Sequence, residues 1–511
     1  MKRLTTAVCL SLLFAAGAFA DPPPVSAPPS LEAEVAALRE QSRKLTEMVQ
    51  TVLDENRRLR EQAAAPAPAT VSADATVPPL LPAPATPGCD EKRSHRDGNP
   101  LAGLSVETRV AQFFTGDYEP DRGFVLVHPR DPSRIPFELR FDLVTQFRHT
   151  GFARDVTTWT DSTGAVLPVS NRNVFEINRN WIEFSGFAFD PKLRFYTVIF
   201  TSSASGRGIF LGWINYHFSD AFSLYFGYYK VPGAREFVDT FWDAQGVDRT
   251  MATTFFRPNL APGIWAKGQP IDNLYYYVMV SNSFDEAQLT ANRVGTNLTY
   301  SGNLRWDPLG PFGPGPSDIE MHERPALRLG GSLTRSRDNR QDSVTTAVSA
   351  NPENTIFRLS DGTPLFKDQA LGPGSQLNVA SVCVAAIDAG VKWQGLSVTG
   401  EYYFRWVDDM KFRGAPPEVN SLFDHGAYLQ AGYFVLPKEV ELYARTSYVH
   451  GHYGGGTEWG GGVNWFVNRT RHWRCTFEVM QIDHSPADNI LTGYRAGESG
   501  TLFQTQMIVN F

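Results

Sequence analysis

From Pro136 to Phe511 the chain is built of segments of about 10 to 14 residues in which apolar and polar positions alternate, the period of a β-strand whose successive side chains point to opposite faces. The first, PFELRFDLVTQFRH, sets Phe137, Leu139, Phe141, Leu143 and Phe147 on one face. Glu138, Arg140, Asp142, Gln146 and Arg148 fall on the other. The closing stretch TLFQTQMIVNF has the same form, with Phe503, Thr505, Met507, Val509 and Phe511 on one parity and Gln504, Gln506 and Asn510 on the other. A soluble sandwich also alternates, so the connections between segments decide. Very short turns at 190–192, 219–220, 394–396, 436–439 and 468–471 take turns with longer polar or Gly-rich segments at 150–173, 232–250, 285–293, 337–380, 409–424, 451–456 and 484–500. The Gly/Pro-rich stretch 307–324 breaks the rule on the short side, and 203–207 is brief on the long side. Tight turns at one end and long loops at the other are the asymmetry of an outer-membrane barrel, and parity gives about sixteen strands with both ends on the periplasmic side. The expected fold is therefore all-β, a roughly sixteen-stranded antiparallel transmembrane β-barrel with a lumen wide enough for water.

The N-terminal part follows other patterns. MKRLTTAVCLSLLFAAGAFA, residues 1–20, has two basic residues, a short apolar run and a small-x-small close, which predicts a cleaved signal peptide. Residues 31–62 keep a heptad: Leu31, Leu38, Leu45, Val52 and Leu59 share one core position, and Val35, Ser42, Val49 and Asn56 share the other. This predicts an α-helical coiled coil in the periplasm, with Asn56 fixing register at a cost in stability, as in a parallel oligomer. Residues 63–100 are rich in Pro and Ala and predict an extended, disordered linker. A short periplasmic strand-like segment at 104–135, containing LSVETRVAQFF and GFVLVHP, then leads into the barrel domain, 136–511.

Composition supports this class and excludes others. Mean hydropathy is −0.26, as in a soluble protein, but lipid-facing and lumen-facing residues of a barrel cancel in such an average. A formal charge of −7 and a pI near 5.9 exclude a nucleic-acid partner, which needs a basic footprint. Once Cys9 leaves with the signal, Cys89, Cys383 and Cys475 remain, an odd number without the spacing of a disulfide framework or metal motif. Parity places Cys383 and Cys475 toward lipid as small hydrophobes. No Gly-x-Ser-x-Gly elbow, His-Glu-x-x-His or phosphate-binding loop occurs, so no enzyme and no cofactor is expected. His450 and His452 could chelate a metal but lie in a Gly-rich stretch without a third ligand, and a solvated loop is the better reading.

The chemistry expected is that of charge inside a pore. Parity points Arg140, Arg148, Arg328, Arg405, Arg445 and Arg474 into the lumen with Glu138, Asp142, Glu401, Glu441 and Glu478. Glu401/Arg405, Glu441/Arg445 and Arg474/Glu478 sit four apart, roughly 13 Å along a strand, too far to pair within it. They either bridge neighbouring strands or face the water column and steer ions. The stretch YFGYYKVPGAREFVDTFWDAQGVDRTMATTFFRPNLAPGIWAKG, 225–268, turns at Val231-Pro232-Gly233 into the third external loop. That loop mixes Arg235, Glu236, Asp239, Asp243, Asp248 and Arg249 with aromatic residues.

This stretch resembles the phosphate-selective porin O and P family of outer-membrane channels, on Gly227, Lys230, Pro232, Asp248 and Arg249. The strand rhythm of 136–511 and WDPLG at 306–310 are similar to that family as well. The resemblance implies a sixteen-stranded, usually trimeric, water-filled barrel whose third loop folds inward to narrow the pore, with Lys230 and the loop charges at the constriction. The family's excess of lumen Arg and Lys is missing here, so phosphate selectivity does not carry over, and general diffusion of small hydrophilic solutes or inorganic ions, phosphate among them, is expected. Expected partners are outer-membrane lipid, further copies of the chain as a homotrimer, and the cell wall through the coiled coil. The alternative is a structural anchor of the outer membrane in which transport is incidental. Deleting residues 31–62 should lower the oligomer mass measured by light scattering in detergent; an unchanged trimer would place the association in the barrel walls.

Overall fold

The computed structural model describes residues 114–119, 123–131, 133–134, 136–282, 297–339 and 351–511. The chain divides into two units, Met1–Asp97 and Gly98–Phe511, and the described residues belong to the second. The signal peptide, the coiled-coil core positions and the linker lie outside the described residues, as does most of LSVETRVAQFF.

Among the described residues eighteen strands form one sheet; two make an N-terminal hairpin and the other sixteen close into a barrel. In chain order the barrel strands are β1 (Phe137–Arg154), β2 (Arg172–Ala188), β3 (Asp190–Ser202), β4 (Arg207–Ser219), β5 (Phe222–Lys230), β6 (Leu260–Ile271), β7 (Leu274–Ser281) and β8 (Thr299–Trp306). Then follow β9 (Ala326–Asn339), β10 (Ser375–Trp393), β11 (Leu396–Gly414), β12 (Leu422–Leu436), β13 (Val440–Gly451), β14 (Gly454–Phe466), β15 (Trp473–Asp483) and β16 (Gly500–Asn510). Each pairs antiparallel with its sequence neighbour, and β16 returns to β1 in a ladder from Gly500 opposite Arg154 to Asn510 opposite Val144. Closure leaves no open edge among these strands. Below the seam the free edge of β1 is taken by the hairpin, Phe114–Glu119 with Gly123–Pro129, through Phe124 opposite Phe141 and Val127 opposite Leu139. Phe511 meets the hairpin at Phe124, ring to ring at 5.8 Å.

The polarity of the wall is inverted relative to a soluble domain. Phe147, Ile264, Leu333, Ile387, Leu429, Phe477 and Met507 are exposed on the outer parity, while Gln146, Arg148, Glu401, Gln430, Glu441, Gln504 and Gln506 are buried on the inner one. Cys383 and Cys475, free thiols, share the outer parity. Alternation therefore assigns each face as the sequence pattern does.

The strand ends differ from the expectation. At the long-loop end β9 runs to Asn339, β10 begins at Ser375, β11 reaches Gly414 and β12 begins at Leu422, so 337–380 and 409–424 shorten to 340–374 and 415–421. Backbone pairing continues here through stretches rich in polar residues, Arg335–Asn339 among them, where simple alternation has stopped, and Asp409 takes a positive φ of 46° as the register shifts. His450 lies on β13, not in a loop, with its ring 5.6 Å from that of His425; the turn itself is His452-Tyr453. The β2–β3 turn sits at Phe189, φ 68°, one residue before the expected 190–192. Loop 155–171 carries its own small hairpin, Thr158–Thr160 with Val166–Pro168.

Candidate functional site

The lumen is where the inverted pattern leads, and chain fills it. β5 stops at Lys230 because Pro232 has no N–H to continue the ladder, and the Gly233 N–H donates to the Val231 carbonyl at 2.9 Å to bend the chain inward. Segment 231–259 then crosses the barrel as two short helices, α1 (Arg235–Val238) and α2 (Met251–Phe256), with a single turn at Phe241–Asp243 between them. Every residue from Ala244 to Asn259 is buried. The Thr250 side chain accepts from the Thr253 N–H to start α2. Wall groups satisfy further orphan donors: the Met251 N–H reaches Glu458 at 2.9 Å and the Ala252 N–H reaches Ser447 at 3.2 Å.

Charge holds the loop in place. Asp248 lies between two wall arginines, Arg148 at 2.8 Å and Arg179 at 2.5 Å, all three buried. Glu353, from the β9–β10 loop, pairs with Arg179 and with Arg249 at 3.0 Å. Phe237 sits among Lys230, Arg249 and Arg257, whose cationic groups lie 5.7, 5.0 and 4.5 Å from its ring centre. Burial alone would raise the Asp248 carboxyl, but Arg179, Arg148 and Arg249 outweigh it and hold it well below the usual carboxylate range. Burial opposes ionisation of Glu353 as well, and Arg179 and Arg249 still pull it down to about 2 from its ordinary 4.5. At Glu236 and Asp243 burial wins, and their carboxyls are raised.

The remaining space is taken up by apolar packing and by two further segments. Phe237, Phe241, Met251, Phe255 and Phe256 join Trp181, Tyr403 and Tyr428 of the wall in one buried cluster that also takes Leu491 and Tyr494 of the β15–β16 loop. From the short-turn end, segment 307–325 also enters: Phe312 is fully buried, with Arg328, Lys392 and Arg235 at 4.4, 4.6 and 5.3 Å from its ring centre. Asp318 in this segment bonds the Gly395 N–H at 2.8 Å, and Ser317 donates to Glu441 at 2.8 Å.

The residues expected to line a water column are thus mostly contacts of a plug. Arg405 pairs with Asp424 directly across β11–β12 at 2.7 Å, and Arg445 with Glu478 at 2.9 Å. Gly246 passes over the second pair so closely that a Cβ there would lie 2.3 Å from Arg445 Nη1. Glu401 accepts the Arg235 N–H at 2.8 Å, Glu441 accepts from Gln245 at 2.7 Å, and Arg474 donates to the Ala244 carbonyl. Arg328 reaches Asp307 at 3.4 Å and Asp239 at 3.6 Å. Arg140 and Asp142, at the hairpin end, stay half-buried. Among the loop residues, Lys230 donates to the Asp239 carbonyl at 2.8 Å, Glu236 accepts from Thr250 Oγ1 at 2.8 Å, and Asp243 accepts from Thr240 and faces Arg471 at 3.5 Å. Arg179, Glu353, Phe237 and Phe312 were not legible as a set. A register shift at Gln146/Phe147 puts Asn178 and Arg179 both inward and breaks simple parity, and Glu353 lies in a loop without period. A cavity of about 450 Å³ lies at the short-turn end, between α1 and the inner faces of β4 to β10.

No family model matches the chain, and no curated protein matches it. In fold it is similar to the outer-membrane expressed OmpT of Vibrio cholerae, at 11% identity over 73% of this chain and 98% of that one, with a TM-score of 0.43. It is also similar to an anion-selective porin from Comamonas acidovorans (11% identity, 73% and 100% covered, TM-score 0.44). A third is the outer membrane channel DcaP of Acinetobacter baumannii (7% identity, 73% and 97% covered, TM-score 0.43). At these scores the likenesses lend no weight to a functional reading, which rests on the barrel itself.

Asp248→Asn leaves Arg148 and Arg179 buried without their carboxylate and should cost about 3–5 kcal/mol, seen as trypsin cleavage at Arg249 that the parent chain resists. Unchanged resistance would refute this latch of Asp248 on Arg148 and Arg179. Both carboxylates titrate lower folded than unfolded, so the Glu353 contribution is complete above its ordinary 4.5 and is lost as pH falls from there through about 2, with that of Asp248 lost in full only at still lower pH. An acid-stable protease at pH 5, 4, 3 and 2 should find the loop resistant at 5 and exposed at 2.

Proposed function

We propose that this chain is an outer-membrane porin: a barrel that carries small hydrophilic solutes or ions passively, with the β5–β6 loop as its constriction. The observation that carries the reading is the inverted wall, apolar residues outward all round and paired charges inward, in a closed sheet of sixteen strands. An apolar outer face on a closed sheet matches a lipid surround, since no backbone group is left to be satisfied by water. In this reading the short turns and the N-terminal hairpin face the periplasm, the long loops face outward, and the chain assembles with copies of itself in the bacterial outer membrane. The constriction would be set by Lys230, Arg235, Glu236, Asp239, Asp243, Asp248 and Arg249. Their acids are engaged by neighbouring arginines and hydroxyls, which supports weak ion selectivity and not a phosphate filter.

A second reading, the structural anchor with incidental transport, is favoured by one observation. Segments 231–259 and 307–325 meet inside the barrel, where Gly315 lies against Asp243 and Phe312 against Arg235, so the described lumen is largely occupied. Planar-bilayer recordings separate the two. The porin reading expects small unitary currents with weak selectivity, rising severalfold when Phe312→Ala removes the periplasmic stopper; no current from either protein would sink it. Leu429→Arg, at the outward centre of β12, should cost about 2–4 kcal/mol in folding into lipid vesicles, whereas a loss near zero would argue against a lipid surround.

A further inference from the structure

The cavity below α1 contains a cation that nothing balances. Lys267 lies on the inner face of β6, opposite Tyr277 of β7 and Ser223 of β5. Its ammonium is 4.1 Å from the ring centre of Tyr277, 5.2 Å from that of Tyr229 and 5.6 Å from that of Tyr225. Among the described residues no carboxylate pairs with it and no hydrogen-bond acceptor meets it. The other charges of this cavity are already matched: Arg235 with Asp388 at 3.5 Å and Asp239 at 3.6 Å, Arg328 with Asp239 and Asp307, and Arg305 with Asp307 at 2.8 Å. Asp220, at the rim, is 96% exposed and faces water. Ring faces attract a cation, but they do not replace a counter-charge in a desolvated site.

We propose that this cavity binds a small organic monoanion, its carboxylate on Lys267 and a flat apolar body among the rings of Tyr225, Tyr275 and Tyr277. The volume, about 450 Å³, is that of a small-molecule site, and Gln269 and Asn303 stand in its wall to take hydrogen bonds. One unmatched charge selects one negative charge. Inorganic phosphate, divalent and strongly hydrated, would need several uncommitted donors, and the three arginines are committed to aspartates. Aromatic walls favour a ligand with a face to stack over one that is all charge. Binding here does not depend on whether the barrel conducts, because the cavity opens at the short-turn end, beneath the loop.

Benzoate is the probe, titrated into the purified full-length protein in detergent and followed by calorimetry and by tyrosine and tryptophan fluorescence. Saturable binding is expected, weakened about tenfold or more by Lys267→Gln and by replacing benzoate with benzyl alcohol, which keeps the ring and loses the charge. Lys267→Arg should stay within about threefold of the parent. If Lys267→Gln does not fold, judged by circular dichroism, Lys267→Met takes its place. Absent binding, equal affinity for benzoate and benzyl alcohol, unchanged affinity in the Gln or Met variant, or displacement of benzoate by equimolar phosphate would each overturn the site. Silence in bilayer recordings with intact benzoate binding would remove the porin reading and leave this site; current without benzoate binding would do the reverse.

Discussion

The position of Asp248 between Arg148 and Arg179 is the interaction on which the interior depends. Two arginines on adjacent wall strands would be intolerable in a closed, packed space without a counter-charge, and the counter-charge comes from a segment about a hundred residues away from Arg148. Once Asp248 is placed, Arg249 and Arg257 follow it inward, Phe237 lies under them, and Glu353 of another loop is drawn to the resulting positive centre. Hydrophobic packing then completes what charge has positioned: α2 presents Met251, Phe255 and Phe256 to Tyr403 and Tyr428. The order of causes is the reverse of a soluble core, where apolar burial comes first and polar groups are fitted around it.

This arrangement explains how one wall serves two solvents. The outer face needs nothing beyond apolar side chains of ordinary size, and it has them on each strand. On the inner face most charged groups have a specific partner, across strands as for Arg405 and Asp424, or on the inward loop as for Glu401 and the Arg235 N–H. A wall so furnished cannot slide in register, because a shift of one residue would carry Arg148 and Glu441 outward. The charges therefore define the barrel as much as they line it.

Much of this was written plainly in the chain. Period-two alternation from Phe137 to Phe511 gave strand number, sidedness and the inner position of Arg148, Arg328, Arg405, Arg445 and Arg474, because a strand has two faces and parity assigns them. The turn at Val231-Pro232-Gly233 and the charges of the third long loop were legible from the residues, but its inward course was implied only by the family resemblance. Parity could not say what an inward arginine would meet, since partners such as Asp248 and Glu353 come from segments with no period. It also failed at Arg179, where an extra residue changes the phase of β2, and at 307–325, whose Gly and Pro content reads as a surface turn although Phe312 is buried. The unmatched Lys267 was hidden for a related reason, because being unpaired is a property of a neighbourhood and not of a residue.

The seam between β1 and β16 has a consequence for how this molecule is made. It joins residues 144–154 to residues 500–510, the most non-local ladder among the described strands, and such contacts are slow to form. Arg148 belongs to both the seam and the latch: it holds Gln506 of β16 at 2.9 Å while it binds Asp248. Without the inward loop, the arginine that zips the wall lacks its counter-ion. Closure of the wall and docking of its contents are thereby tied to one side chain.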